Sequence, residues 1–580
     1  MRNLIGSIEL KHERVDDLPL LLGLLEQLQL TRILDQHLGH HHLHKGLSYG
    51  HLGIVWLAFL LSEADHRKIA VQPWTLHKQH TLETLLRQSV LPTDFTDDRL
   101  GLLLRRLARA DWAALETDLW QACCLVFDFT FERVRLDSTT VSGYHDPVPN
   151  GLMQRGHSKD HRPDLPQLKL MAAAAQPYGY LLACDVVSGE KADDPLYTPL
   201  IQRVRRLLDR KGLLYVGDCK MAALATRGEL VKAGDFYLTV LPLTGTTHQE
   251  MPGWIETTLA HAKEIVELRF QNNGREETLG EGREWWRNCQ AKVDEETVRW
   301  KERVQLIRSC GVWEAQKKHL EEKLRQAEKE MKRLTPSPGR GRKVYREEGA
   351  LASAVTQIME RHGVIDLLAV KWQKRQQVRQ RYVGRGRPGV NRERREEVKV
   401  RYEITEVKRQ EREIEAKKER LGWRAQVTNV PKGRMSLLEC LLTYREGWCL
   451  ERDFHLIKAK PLGIDPLYLQ KDEQILGMTR LLTLGLRVVT WMEIRVREEL
   501  KSRQEELAEL YEGHARKTTA RPTALRLLGA ISRLEITLTH VRTPTEAGWH
   551  LSPLPNLLKK TLELLNLPCS LYEGLAGQSS

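Results

Sequence analysis

The sequence predicts a mixed α/β protein with helical flanking regions, and three observations predict it. Short, β-rich apolar runs follow one another between residues 128 and 245. Amphipathic helical segments then alternate with further strands in the same stretch. On either side, apolar residues recur with the three-to-four-residue period of helices.

The N-terminal region, 1–127, reads as a helical domain. "LPLLLGLLEQLQLTRILDQHL", "LSYGHLGIVWLAFLLSE" and "TDDRLGLLLRRLARADWAALETDLWQACC" each carry helical spacing. Within it, "DQHLGHHHLHK" places His37, His40, His41, His42 and His44 together, but without a partnered cysteine or carboxylate set. A polar connector is the expectation there, rather than a zinc site.

Residues 128–245 read as the first part of a sheet. "FERVRLDSTTVSGY", "LPQLKLMAAAA" and "GYLLACDVVSG" are three successive strands. The helix "DPLYTPLIQRVRRLLDRKG" ends at a glycine cap and leads to the buried strand "LLYVGDCKM", and "DFYLTVLPL" is the next strand. Three strands followed by alternating helix and strand require a mixed sheet, not an all-parallel one.

Residues 246–420 read as an insertion of charged helices and basic loops. "TVRWKERVQLIRSCGVWEAQKKHLEEKLRQAEKEMKRL" is expected to be helical. Trp313, Leu320, Leu324, Ala327, Met331 and Leu334 form a short heptad seam, interrupted at Lys317. Either a partner helix in this chain or a second subunit would cover it. "PSPGRGRK" and "VGRGRPGVNRERR" supply glycine-arginine loops around Arg340–Lys343 and Arg385–Arg387, suited to phosphate contact or to a solvated linker. The sheet resumes over 421–500 with "LGWRAQVTNV" and the helix that follows. Residues 501–580 are expected to be helical, with a possible role in dimerisation.

Composition narrows the function classes. The chain has 580 residues, 41% apolar, and a net charge of +13, which favours a polyanionic partner. The nine cysteines contain no CxxC pair, so a disulfide framework and a zinc finger are not expected. No signal peptide, membrane span or GxxxxGK[ST] loop is read, so a cytoplasmic protein without NTP hydrolysis is expected.

Three acids carry the candidate chemistry. Asp137 ends the strand in "VRLDSTTV", Asp218 ends that in "LLYVGDCKM", and Glu451 lies in "TYREGWCLERDFHLIK". Strand-end carboxylates can converge on one rim of an α/β sheet. Three together repel unless a cation intervenes, and hard oxygen ligands suit Mg²⁺ or Mn²⁺. Two such ions can activate a water or a 3′-hydroxyl for in-line phosphoryl displacement. Taken alone, each aspartate is ordinarily a turn or cap residue, and Glu451 an ion-paired residue of a solvated helix. Tyr444, Glu451 and Lys458 are seven residues apart and are expected on one helical stripe. Tyr444, Arg445, Trp448, Arg452 and Lys458 would hold DNA backbone there. In "GHSKDHRPD", Lys159, His161 and Arg162 would do so beside Asp137, with His157 in the same loop. Asp193 and Asp194 in "SGEKADDP" follow the third strand near the same rim.

These residues resemble a known family. The chain is similar to DDE insertion-sequence transposases, and among them to the insertion-sequence family-four group with its Y-x2-R-x3-E-x6-K signature. Tyr444, Glu451 and Lys458 match that spacing, whereas the signature arginine falls on Gly447. "RLDSTTVSGY", "GHSKDHRPDLPQLKL", "YVGDCKMAAL" and "GWRAQVTNV" resemble the family's landmark segments, over roughly residues 130–500.

The resemblance implies an RNase H-like catalytic core with a large insertion between Asp218 and Glu451. It implies Mg²⁺ (or Mn²⁺) held by Asp137, Asp218 and Glu451, and transposon-end cleavage followed by strand transfer. It implies a homodimer on terminal inverted repeats and target DNA, associated with the nucleoid. Trp423 and Trp372 are candidates for stacking on a flipped base, against ordinary core packing. An RNase H-like nuclease without strand transfer, and an inactive DNA-binding derivative, are the alternatives.

Overall fold

The computed structural model describes residues 9–39, 45–272, 274–337, 342–383, 393–464, 467–514, 516–543 and 547–577. His40, His41, His42 and His44 lie outside the described residues, as do Arg340 and Arg385–Arg387.

Fourteen strands are described. They are β1 (Glu9–Arg14), β2 (Arg133–Ser142), β3 (Gln167–Gln176), β4 (Tyr180–Ser188), β5 (Leu214–Gly217), β6 (Phe236–Val240) and β7 (Val266–Asn272). They continue with β8 (Arg275–Val293), β9 (Glu296–Ser309), β10 (Leu368–Tyr382), β11 (Arg394–Arg409), β12 (Trp423–Thr428), β13 (Thr537–Arg542) and β14 (Ala547–Leu551). Nine of them form one mixed sheet in the order β4-β3-β2-β5-β6-β12-β9-β8-β7.

The expected mixed sheet follows from connection length. β3 and β4 are joined by the short turn 177–179 and run antiparallel, and the longer loop 143–166 brings β3 back antiparallel to β2, while helix Tyr197–Leu208 and helix Leu224–Lys232 return the chain so that β5 and β6 run parallel to β2. β3 is "QLKLMAAAAQ" and buried along its whole length. Its four alanines leave little bulk on either face of the sheet, so covering helices can approach closely.

The insertion departs from the expected charged helices and basic loops: β7, β8 and β9 extend the main sheet, and β10 and β11 form a ribbon of their own. Residues 296–309 are strand β9, not helix, and the helix begins at Cys310. The charged run conceals a period-two pattern, Val298, Trp300, Val304 and Leu306, that suits β9 between β8 and β12. Helix Cys310–Leu334 buries Leu320, Leu324, Ala327 and Met331, as the heptad seam predicts. Its cover is internal: helix Glu348–His362 contributes Leu351, Val355 and Ile358 to the same cluster.

The main core joins the flanks to the sheet. Helix Asp472–Arg503 is long and apolar enough to cross a membrane, and 89% of its apolar window is buried inside the protein. It crosses helix Asp97–Arg109 so closely that a Cβ on Gly477 would stand 2.0 Å from the Leu104 carbonyl oxygen. Between sheet and helices lies a buried charge cluster. Glu116 accepts from Arg487 and from the Cys184 N–H (3.1 Å), and Arg203 Nη2 lies 2.8 Å from it.

The C-terminal region is not purely helical. β13 and β14 form a three-stranded sheet with β1, so the two ends of the chain meet. The buried Tyr572 hydroxyl donates to the Asp16 carbonyl at 2.7 Å, reinforcing that junction.

Candidate active site on β2 and at the end of β5

β2 and β5 set the first two acids side by side. Their register is constant: Arg133 pairs with Leu214, Val134 with Tyr215 and Arg135 with Val216. Continued by two residues, it puts Asp137 level with Asp218, the residue directly after β5. Asp137 does not end its strand as expected: it lies midway along β2, which runs on to Ser142 because its pairing with β3 outlasts its pairing with β5.

Each carboxylate is held through one oxygen. Asp137 Oδ1 accepts from the Ser138 N–H (2.7 Å) and from Lys159 Nζ (3.3 Å). Asp218 Oδ1 accepts from the Tyr197 hydroxyl (2.6 Å) and the Lys220 N–H (2.9 Å). The Thr239 hydroxyl on β6 donates to the Asp218 carbonyl at 2.6 Å, fixing the backbone there. Among the described residues, Oδ2 of each aspartate receives no hydrogen bond. Two hard oxygens are therefore open to a divalent cation, and the pair fits the implied Mg²⁺ or Mn²⁺.

Burial pushes the Asp137 carboxyl above its usual range. Lys159 and the Ser138 N–H oppose the shift, and the charge of Asp218 adds to it. Burial and the neighbouring Asp218 push the Tyr197 phenol well above its ordinary value, so it remains a donor. Burial also works against the charge of Asp193. Lys169 and Lys159 outweigh it and hold that carboxyl below the usual range. Asp193 accepts from the Ser138 hydroxyl at 3.1 Å, tying the β4 end to Asp137. Asp194 lies 3.7 Å from Lys220 Nζ.

Glu451 stands differently. Tyr444 and Lys458 do not share one helix: the first runs Leu437–Arg445 and the second Trp448–Lys458, broken at Glu446–Gly447. The break is gripped from the sheet. Arg135 donates to the Thr443 (2.6 Å) and Tyr444 (3.0 Å) carbonyls, satisfying orphan acceptors of the first helix. Arg133 binds the Glu446 carboxylate at 2.9 Å, and Gln176 the Glu446 carbonyl at 2.9 Å. Glu451 is exposed in the first turn of the second helix, and its carboxylate makes no hydrogen bond or ion pair among the described residues. An acid is electrostatically favoured in that turn. No group of three His, Cys, Asp or Glu that could hold a metal ion occurs among the described residues, so Glu451 is not gathered with the two aspartates.

The cations expected to hold DNA divide into two groups. Arg445 and Trp448 are exposed, and Arg445 donates to the Ser309 hydroxyl at 2.8 Å. Tyr444 is half-buried beneath the Arg135 guanidinium, 6.0 Å from its ring centre. Arg452 turns into the core instead, binding Glu493 (2.6 Å) and Asp453 (3.1 Å). Lys458 pairs with Asp160 at 2.6 Å, which clamps the "GHSKDHRPD" loop to the Glu451 helix. In that loop Lys159 faces Asp137, Arg162 pairs with Asp164 at 2.8 Å, and His161 is exposed with left-handed backbone (φ 57°).

Trp423 is buried on β12, with Arg308 4.8 Å above its ring and its indole donating to the Glu419 carbonyl at 3.0 Å. Trp372 packs on the insertion's own core and donates to Glu348 at 3.0 Å. Both placements are core packing. Sequence reading missed Tyr197 and Thr239, because neither the helix nor the strand that carries them advertises a site. Their signal was positional: each faces the end of β5.

Residues 10–120 match the family model "Domain of unknown function (DUF4277)". No curated protein matches the chain. Among solved structures, the chain is similar to a piggyBac transposase in a synaptic complex with hairpin DNA, determined by cryo-electron microscopy. The identity is 9%, with 97% of this chain and 88% of that chain covered, at a TM-score of 0.31.

Proposed function

We propose that this chain is a DNA transposase with an RNase H-like core that cleaves element ends and transfers the strand into target DNA. The observation that carries the reading is the level pair Asp137 and Asp218 on adjacent parallel strands. The order β4-β3-β2-β5-β6, three antiparallel strands then two parallel ones, is the sheet that such a core requires. The landmark segments of the sequence fall on β2, β3, β5 and β12 in the order the resemblance implies.

Asp137 and Asp218 would hold Mg²⁺ or Mn²⁺ through their open oxygens. When bound, the metal neutralises phosphate charge and lowers the pKa of an attacking water or 3′-hydroxyl. Tyr197 and the Lys220 N–H fix the orientation of Asp218. Lys159 anchors Asp137 by gripping the Ser138 carbonyl (2.6 Å) as well as the carboxylate. Glu451 supplies a third, solvated carboxylate from the helix packed against β2. Since Arg452 and Lys458 are engaged within the protein, backbone contact beside Glu451 falls to Arg445 and Trp448. The partners are the element's terminal repeats and target duplex, bound by a homodimer.

The separation of Glu451 from the aspartates favours one alternative, a DNA-binding derivative that no longer cleaves. A labelled duplex made from the gene's own flanking DNA separates the readings. With Mg²⁺ or Mn²⁺, end cleavage and joined product, both lost in Asp137→Asn and Glu451→Gln, support transposition. Cleavage without joining indicates a nuclease. Tight binding without cleavage indicates the derivative.

A further inference from the structure

The insertion sends out a long two-stranded ribbon whose outer part no other described element covers. β10 and β11 pair antiparallel from Leu368↔Arg409 to Tyr382↔Arg394. At about 3.4 Å per residue the fifteen residues of β10 span roughly 50 Å. Only the base is anchored: Val370, Trp372, Tyr402, Ile404 and Val407 pack on the insertion's core. From Gln373 to Tyr382 every residue of β10 is exposed. An isolated ribbon of this kind is marginal in water, so its length requires a partner or a purpose.

Its charge identifies the partner. The two strands carry eleven lysines and arginines against four glutamates, a surplus of seven in a chain whose net charge is +13. Cross-strand partners share a face, so register sorts these charges. Arg375/Arg401, Gln377/Lys399, Arg379/Glu397 and Arg381/Arg395 fall on one face. The ion pairs Arg375–Glu403 (2.9 Å) and Arg381–Glu397 (3.5 Å) lie on that same face. Arg379, Arg395 and Lys399 have no acidic partner among the described residues. The opposite face carries Val378 and Val398, paired and about half exposed.

We infer that the cationic face of the β10–β11 ribbon binds the phosphate backbone of double-stranded DNA. A two-stranded ribbon fits the major groove, and unpaired arginines and lysines along it can displace condensed counterions. The inference deepens the transposase reading by naming a duplex-holding surface built from the insertion. It does not depend on the acids being active.

The test is binding of a fluorescent 30-base-pair duplex to the full chain in EDTA, titrated with salt. Arg379→Ala/Arg395→Ala/Lys399→Ala is expected to lower the slope of log K against log salt by about 2–3. Val378→Ser/Val398→Ser on the opposite face is expected to leave the slope unchanged. All five positions are exposed or nearly so, and matching thermal melts would show that the fold is kept. An unchanged slope in the triple variant overturns the inference, as does a larger loss from the valine pair, which would mark that face as the contact. Wild-type binding that the triple variant weakens, without any cleavage with Mg²⁺, keeps this inference and ends the catalytic reading.

Discussion

Asp137 and Asp218 stand level on two neighbouring parallel strands, each held through Oδ1 and open at Oδ2. Two carboxylates so placed are costly without a cation, and Lys159 at 3.3 Å supplies part of that charge.

Tyr197→Phe removes the hydroxyl that orients Asp218. The fold has little else to lose there, so stability is expected to fall by about 1 kcal/mol. End cleavage is expected to fall roughly tenfold or more, because metal ligands depend on the contacts that orient them. A variant with wild-type cleavage rate would remove Tyr197 from the site.

Glu116→Ala leaves Arg487 and Arg203 buried without their carboxylate. Breaking one side of a buried pair costs about 3–5 kcal/mol. Urea denaturation of the variant is expected to show a loss of this size. A loss under about 1 kcal/mol would mean that the cluster is open to solvent.

Asp17 gives the stability a pH dependence. Burial pushes its carboxyl up to about 6, with the Ser62 hydroxyl bond at 2.6 Å working against the shift. A carboxylate with a raised folded pKa binds more protons folded than unfolded. Its stabilising share is therefore complete below the unfolded value of 3.8 and is lost as pH rises to about 6. Asp17→Asn is expected to flatten the decline of unfolding free energy over that window by roughly 2–3 kcal/mol. An identical slope in the variant would show that Asp17 titrates normally.

Gly447 stands where the two helices meet and has helical backbone, φ −64°. A Cβ there would meet Arg135 Nη1 at 3.5 Å and Glu451 Oε1 at 3.7 Å, both ordinary contacts. Gly447→Ala is expected to be neutral or stabilising by about 0.4–1 kcal/mol. A clear destabilisation in urea would show that the break between the two helices needs glycine.

The mixed sheet was legible because its strands are short, apolar and separated by turn residues, and Asp218 was legible as the polar end of β5. Asp137 was misplaced at a strand end, because the polar run Ser138–Ser142 continues β2 through its pairing with β3. β9 was not, because a charged strand inside a long charged run has a period that composition hides. The single stripe from Tyr444 to Lys458 failed for a tertiary reason. Arg133, Arg135 and Gln176 bind residues 443–446 from the sheet, and no local spacing reveals them. Arg452 and Lys458 read as DNA contacts because their partners, Glu493 and Asp160, are 41 and 298 residues away in sequence. The C-terminal strands escaped notice because their partner β1 lies at the other end of the chain.

The most direct test of the central claim is Mn²⁺ binding to the full chain on duplex DNA, followed by electron paramagnetic resonance. The wild type is expected to bind Mn²⁺ in competition with Mg²⁺. Asp137→Asn and Asp218→Asn are expected to lose that binding at least tenfold. Equal binding in the wild type and both aspartate variants, or none in the wild type, would contradict the claim that these two carboxylates form the metal site.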